Sequence, residues 1–373
     1  RMTDLLQAGR LERAHKATAE AGLDALLLTP GADLRYLTGY DAHPLERLTC
    51  LVVTASGSAA LVVPELEKAA AEASPAGELD LPIVAWPEGG DAYAVVRDLL
   101  RDACGGAPGQ VGIANRMWAE QALAFAAALP GTEQALAGPV LRELRVRKSP
   151  AEVEALRRAA HAIDAVHDRV GEWLRAGRTE AEVGRDIAEA ILDHGHAEAA
   201  FVIVGSGPNG ASPHHALSDR VIGPGEPVVV DIGGPMPDGY CSDSTRVYCL
   251  GDPPPEFAAY YAVLLDAQEQ ACAAVRPGVT AGEVDAACRE PIAAAGYGEY
   301  FIHRTGHGIG LDGHEEPYVI GGSGEILESG MAFSIEPGIY LPGRHGARIE
   351  DIVVCTESGV DRLNRSPREL VIL

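Results

Sequence analysis

The chain has 373 residues, more than a single hydrophobic core usually organises, so two domains and a large buried interior are expected. Hydrophobic residues make up 47% and charged residues 23%, with no low-complexity tract, which excludes a disordered or fibrous protein. A formal charge of −24, from 30 Lys and Arg against 54 Asp and Glu, repels phosphate backbones and anionic lipid, so neither nucleic acid nor a membrane surface is an expected partner.

Arg1 ahead of Met2 reads as a residue added before a natural start. From Thr3 to Gly22 the pattern is that of a charged amphipathic helix rather than a signal peptide, and no apolar run approaches the roughly 20 residues of a membrane span. The seven cysteines (Cys50, Cys104, Cys241, Cys249, Cys272, Cys288 and Cys355) are odd in number and scattered, without a C-x-x-C pair. Neither a disulfide framework nor a thiolate zinc site is expected, and a reducing, cytoplasmic location is.

Short apolar runs then alternate with helical segments: Ala25–Thr29, Leu51–Thr54, Ala59–Val63, Leu81–Ala85 and Val111–Ala114. The stretch from Thr54 to Ala59 joins two of them as a hairpin loop would, so residues 1–140 are expected to form a mixed-sheet α/β domain. It holds no compact constellation of catalytic residue types.

Leu141–Lys148 is basic in an acidic chain and leads into Ser149-Pro150-Ala151-Glu152, a capping box with Pro at the first helical position. The boundary is placed before it, giving a second domain over 141–373. A long helix should follow, with Val153, Leu156, Ala160, Ile163, Val166 and Val170 at helical spacing and an end near Gly177. Two further boxes, Thr179-x-x-Glu182 and Thr280-x-x-Glu283, each open a helix followed by an apolar strand pattern, as an internal duplication of helices plus a strand pair would.

Beyond Glu226 the acids fall in apolar strand patterns. Val228-Val-Val-Asp231 and Tyr240-Cys-Ser-Asp243 flank a short turn, so antiparallel pairing would bring the two Asp together. Thr305-Gly-His307-Gly, Ser334-Ile-Glu336-Pro and Ala347-Arg-Ile-Glu350 follow. Four acids and a His in segments that read as buried need positive charge between them, and oxygen-rich ligation with one imidazole suits Mn²⁺, Co²⁺ or Zn²⁺. Four carboxylates exceed what one such ion normally takes, so two metals are implied.

In order and surroundings these residues resemble the pita-bread metallopeptidases, which include methionine aminopeptidase, aminopeptidase P and prolidase. The resemblance implies an α/β (α+β) chain with a pita-bread catalytic domain preceded by a smaller creatinase-like N-terminal domain. It assigns Asp231, Asp243, His307, Glu336 and Glu350 as metal ligands, with Asp243 and Glu350 bridging two divalent ions. His214 in Ser212-Pro-His-His215, His303 and His314 match the proline-specific branch, whereas His15, His43, His161, His167, His194, His196 and His345 read as surface or core histidines, and His215 is open between the two.

What the resemblance implies for chemistry is hydrolysis of the bond before proline in small proline-containing peptides. Glu336 would be the proton carrier, His214 and His314 oxyanion donors, His303 a wall for the proline ring, and Arg348 a contact to substrate backbone or carboxylate. A dipeptidase also needs a cation for the substrate's C-terminal carboxylate. The region Leu34–Arg47 leans over the site in relatives, which makes Arg47 the expected clamp and Arg35 its runner-up. A homodimer is the state common in the family. The alternatives are an aminopeptidase P acting on longer peptides, a methionine aminopeptidase, a hydrolase of a non-peptide amide, or a non-catalytic binding module; amidinohydrolases are disfavoured by the intact ligand set.

Overall fold

The computed structural model describes residues 9–373; the first residues of the expected N-terminal helix, Thr3–Ala8, lie outside that range. Two compact units divide after Arg145. In the first, helices α1 (Arg10–Glu20), α2 (Ala32–Thr38), α3 (Lys68–Ala73), α4 (Ala92–Cys104), α5 (Ala119–Ala128) and α6 (Gly138–Arg145) accompany a six-stranded sheet. Its strands are β1 (Ala25–Leu28), β2 (Cys50–Thr54), β3 (Ala59–Pro64), β4 (Ile83–Trp86), β5 (Gln110–Ile113) and β6 (Glu133–Leu136), in the order β4-β3-β2-β1-β5-β6.

The sheet is mixed: β2 runs antiparallel to β1 and β3, while the remaining pairs are parallel. The Thr54–Ala59 hairpin forms as expected. The division falls after Arg145 rather than before Leu141 because the basic segment is itself helical and tied to α2. Leu144 accepts a hydrogen bond from Tyr36 (2.9 Å), and Arg145 pairs with Asp33 (2.5 Å).

The second unit opens with α7 (Pro150–His167), α8 (Val170–Trp173) and α9 (Glu180–Asp193), then β7 (Phe201–Ser206), β8 (Pro227–Pro235) and β9 (Cys241–Cys249). After α10 (Pro255–Ala274) and α11 (Ala281–Ala294) come β10 (Gly306–Gly308), β11 (Glu315–Val319), β12 (Ala332–Ile335), β13 (Gly338–Leu341), β14 (His345–Arg348), β15 (Asp351–Cys355), β16 (Val360–Arg362) and β17 (Val371–Ile372). One sheet, β17-β9-β8-β7, packs on α7 to α9 through Ile163, Ile187, Val204 and Val230; the other, β11-β10-β12-β15-β16, packs on α10 and α11 through Leu264, Val284, Phe333 and Val353. A backbone pairing of Thr245 with Glu350 joins them. This is the pita-bread arrangement, two helix pairs backing strands that meet in the middle.

All three capping boxes form, with reciprocal bonds at Ser149/Glu152, Thr179/Glu182 and Thr280/Glu283. The helix after Ser149 ends at His167 instead of near Gly177. Tyr248 of β9 sets its hydroxyl 3.0 Å from the His167 carbonyl, filling the place that another helical turn would have taken. The apolar spacing continues through Val170 because α8 takes it up after the break.

Candidate metal centre

The meeting point of the two sheets collects the acids. On β8 and β9 Asp231 lies opposite Thr245, and Asp243 opposite Gly233, which sets the two carboxylates diagonally on one face. His307 occupies the middle of β10, a strand whose backbone is approached so closely that a Cβ at Gly306 would run into the Ser334 carbonyl and one at Gly308 into that of Glu316. Only glycine fits on either side of this imidazole. Glu336 follows β12, and Glu350 sits between β14 and β15.

Ligand atoms of Asp231, Asp243 and Glu350 lie within 4.8 Å of one another, as do those of His307, Glu336 and Glu350, and of Asp243, His307 and His314. His307 Nδ1 faces the Gly308 carbonyl (2.9 Å), so it carries hydrogen and Nε2 is the atom presented to Glu336 (3.1 Å) and Asp243 (3.4 Å). Among the described residues Asp231 Oδ1 and Glu350 Oε1 are buried without a hydrogen-bond partner. Two orphaned carboxylate oxygens pointing into one acidic cluster fit divalent cations, because such atoms are otherwise costly to bury.

Protonation reflects the same shortage of positive charge. Burial, reinforced by the charges of Asp243, Glu336 and Asp231, raises Glu350 well above the carboxylate range. Burial also pushes Asp243 up to about 6 against its bond to His307. Burial would lower His307, yet its bonds to Asp243 and Glu336 outweigh this and bring it to about 10. Glu336 falls to about 2, its desolvation overridden by His307.

These ligands open onto a cleft of about 920 Å³ whose walls include His214, His303, His314, Arg348 and the apolar Phe201, Ile302 and Ile320. The rings of His314 and His307 stack with centroids 3.7 Å apart, and burial together with the charge on His307 lowers His314 to about 4. His303 Nδ1 donates to the Arg304 carbonyl (2.7 Å), so its Nε2 accepts from the Tyr340 hydroxyl (2.7 Å), which itself accepts from Arg348 (2.8 Å). With both nitrogens engaged, the flank of the ring is what His303 offers the cleft.

Arg348 also donates to Asp231 (2.6 Å), the Pro213 carbonyl (3.2 Å) and Thr245 (3.2 Å), and Thr245 donates to Glu350 (2.8 Å). It thus serves the ligand set, a task its position near Glu350 did not announce. Tyr340 and Thr245 were missed from the sequence. The available signal for Thr245 was strand alternation, which puts it on the same face as Asp243. His215 bonds the buried Glu180 (2.6 Å). In the first unit Arg47 is held by Glu88 (2.8 Å) and Glu46 (2.6 Å), and Arg35 by Asp41 (3.1 Å).

Residues 154–357 match the model of metallopeptidase family M24, and residues 10–147 that of the creatinase/prolidase N-terminal domain. The chain belongs to metallopeptidase family M24. This M24 chain is a peptidase whose family uses divalent metal ions. It is 54% identical over 366 residues to the probable dipeptidase PepE of Mycobacterium tuberculosis, covering 98% of this chain and 96% of that one. Among solved structures, dipeptidase PepE from Mycobacterium ulcerans superposes with a TM-score of 0.92 at 54% identity, covering 98% of both chains. A recombinant prolidase from Thermococcus sibiricus does so with 0.91 at 36% identity, covering 98% of both. Among the described residues no helix of this M24 chain is long and apolar enough to cross a membrane.

Proposed function

We propose that the chain is a cytoplasmic Xaa-Pro dipeptidase that works with two divalent ions, Mn²⁺, Co²⁺ or Zn²⁺, as a homodimer. The observation that carries this reading is the overlap at Glu350 of two ligand groups, Asp231/Asp243/Glu350 and His307/Glu336/Glu350, in a cleft that also gathers His214, His303 and His314. The similarity to a dipeptidase and a prolidase supports it. When bound, the ions supply Lewis acidity and a water acidic enough to ionise near neutral pH.

Glu336 takes the proton of the attacking water and returns one to the departing proline nitrogen. His214 and His314 donate to the oxyanion as it forms. Proline brings a ring and no N–H, and the flank of His303 offers a surface for it. Arg348 reaches substrate only through the edge it turns to the cleft, its nitrogens being engaged with Asp231, Tyr340, Thr245 and Pro213. Arg47 is the candidate clamp for the dipeptide carboxylate, and would exchange Glu88 for it.

A second reading, an aminopeptidase P on longer peptides, is supported by the likeness to the X-Pro aminopeptidase from Thermotoga maritima, 28% identical with a TM-score of 0.86. Chelator-stripped protein reloaded with each metal is to be assayed on Ala-Pro and Ala-Pro-Ala. Metal-dependent release of proline from the dipeptide, lost by about 100-fold or more in Glu336→Gln, is the expected result. Preference for Ala-Pro-Ala would establish the second reading, and no cleavage of either would end both.

A further inference from the structure

The first residue of α9, Glu180, has no exposed area, and its carboxylate is saturated by one short stretch of chain. The Ser206 amide (2.8 Å) and hydroxyl (2.7 Å) donate to Oε1, the Ser218 hydroxyl donates to Oε2 (2.6 Å), the Asn209 amide reaches both oxygens (3.0 and 3.2 Å), and His215 Nε2 bonds Oε2 (2.6 Å). A buried carboxylate with that many partners fixes whatever carries them. Here the carrier is the segment from Ser206 to Ser218.

His214 lies in that segment, exposed on the cleft, with a restraint on either side. Its predecessor Pro213 is held through its carbonyl by Arg348, the same guanidinium nitrogen that holds Asp231. Its successor His215 is held by Glu180. The ring of His214 is therefore placed by its neighbours and left free to meet a substrate.

The internal duplication shows that the architecture does not demand this carboxylate. In the first half Gly177 donates to Ile222 (2.9 Å), Glu180 to Arg220 (3.1 Å) and Ala181 to Ser218 (2.9 Å); in the second Gly278 donates to Leu327 (2.9 Å), Ala281 to Glu325 (2.8 Å) and Gly282 to Ser323 (3.1 Å). The same capping box precedes both helices. The counterpart of Glu180 is Ala281, equally buried. The start of such a helix accepts alanine, and the acid occurs in the half whose loop bears His214.

We propose that Glu180 and His215 are a positioning pair that orients His214 over the reacting carbonyl. This rests on the role given to His214 above. The test combines Glu180→Gln, the milder His215→Asn, and each of these joined to His214→Ala, in full-length metal-loaded protein. Each single variant is expected to lose about 10- to 100-fold in kcat on Ala-Pro with KM nearly unchanged. Added to His214→Ala, neither should cost more than about a further twofold, since one group acts through the other.

Losses that multiply in the double variants overturn the proposal. A readout independent of activity accompanies them: amide hydrogen exchange over 207–218 is expected to quicken in both single variants while β8, β12 and β15 keep their protection. Unchanged exchange over 207–218 overturns it even if the wild-type protein proves inert toward Ala-Pro, the outcome that would fault the proline reading alone.

Discussion

At Arg348 a charge that is 2% exposed sits between one carboxylate of the cluster, Asp231, and the Thr245 hydroxyl that backs another, Glu350. Its Nη2 donates to Asp231, its Nε to Thr245, and Thr245 to Glu350. Deleting one member of a buried pair strands the other, a loss of about 3 to 5 kcal/mol. Arg348→Met is accordingly expected to lower the unfolding free energy of chelator-treated protein by about 3 kcal/mol, and by clearly less with Mn²⁺ present, because a cation then compensates Asp231. Urea unfolding of both proteins with and without metal reads this; an equal loss in the two conditions would show that Asp231 is not the stranded group. Arg348→Lys should recover little, since one ammonium cannot span these four acceptors. The ligands were legible in the sequence because an acid inside an apolar strand is conspicuous. The partner of Arg348 was not, because Asp231 lies 117 residues away and only the fold joins them.

Elements were legible where a local signal starts them and obscure where a distant group stops them. Ser149, Thr179 and Thr280 announce their helices through bonds made within four residues. β6 was missed because Glu133-Gln134-Ala135-Leu136 is largely exposed and shows no apolar alternation; it is a strand only because β5 offers it an edge. The end of α7 was misplaced because Tyr248 of β9 decides it. That joint also titrates. His167 is buried between the Tyr248 hydroxyl (2.9 Å) and the Ser244 carbonyl (3.1 Å), and burial, aided by the charge of Arg246, lowers it to about 3. Unfolded, it takes up a proton near pH 6.5. Between pH 6.5 and about 3 the unfolded chain therefore binds the extra proton, so the contribution of neutral His167 is complete above 6.5 and is lost as pH falls, by about 1.4 kcal/mol per unit. Chemical denaturation at pH 7 and pH 5 should show a smaller drop in His167→Gln than in wild type, by about 1 to 2 kcal/mol. Equal drops would mean that His167 does not stay neutral in the folded joint.

For the molecule as a whole, the division of labour between the two units is open to a direct test. Two core clusters of the second unit are built from Val146 onward, and the first unit has one around Leu27, Val52, Val96 and Phe125. The five candidate ligands and every residue named in the cleft wall also lie beyond Val146. A chain of residues 146–373 should therefore fold and, by elemental analysis after reloading, retain as many ions per chain as the full-length protein. Arg47, the proposed clamp, is the residue it would lack. If Arg47 reads the substrate carboxylate, this shortened chain should lose the preference for Ala-Pro over Ala-Pro-Ala by about 10-fold or more, the scale of a charged, paired contact, and Arg47→Ala in the full chain should reproduce that loss through KM. A shortened chain that keeps its metals and its dipeptide preference would retire Arg47 and put the discrimination inside the catalytic unit. Loss of metal from the shortened chain would instead show that the acidic cluster, with four carboxylates competing for too little positive charge, needs the first unit to hold its shape.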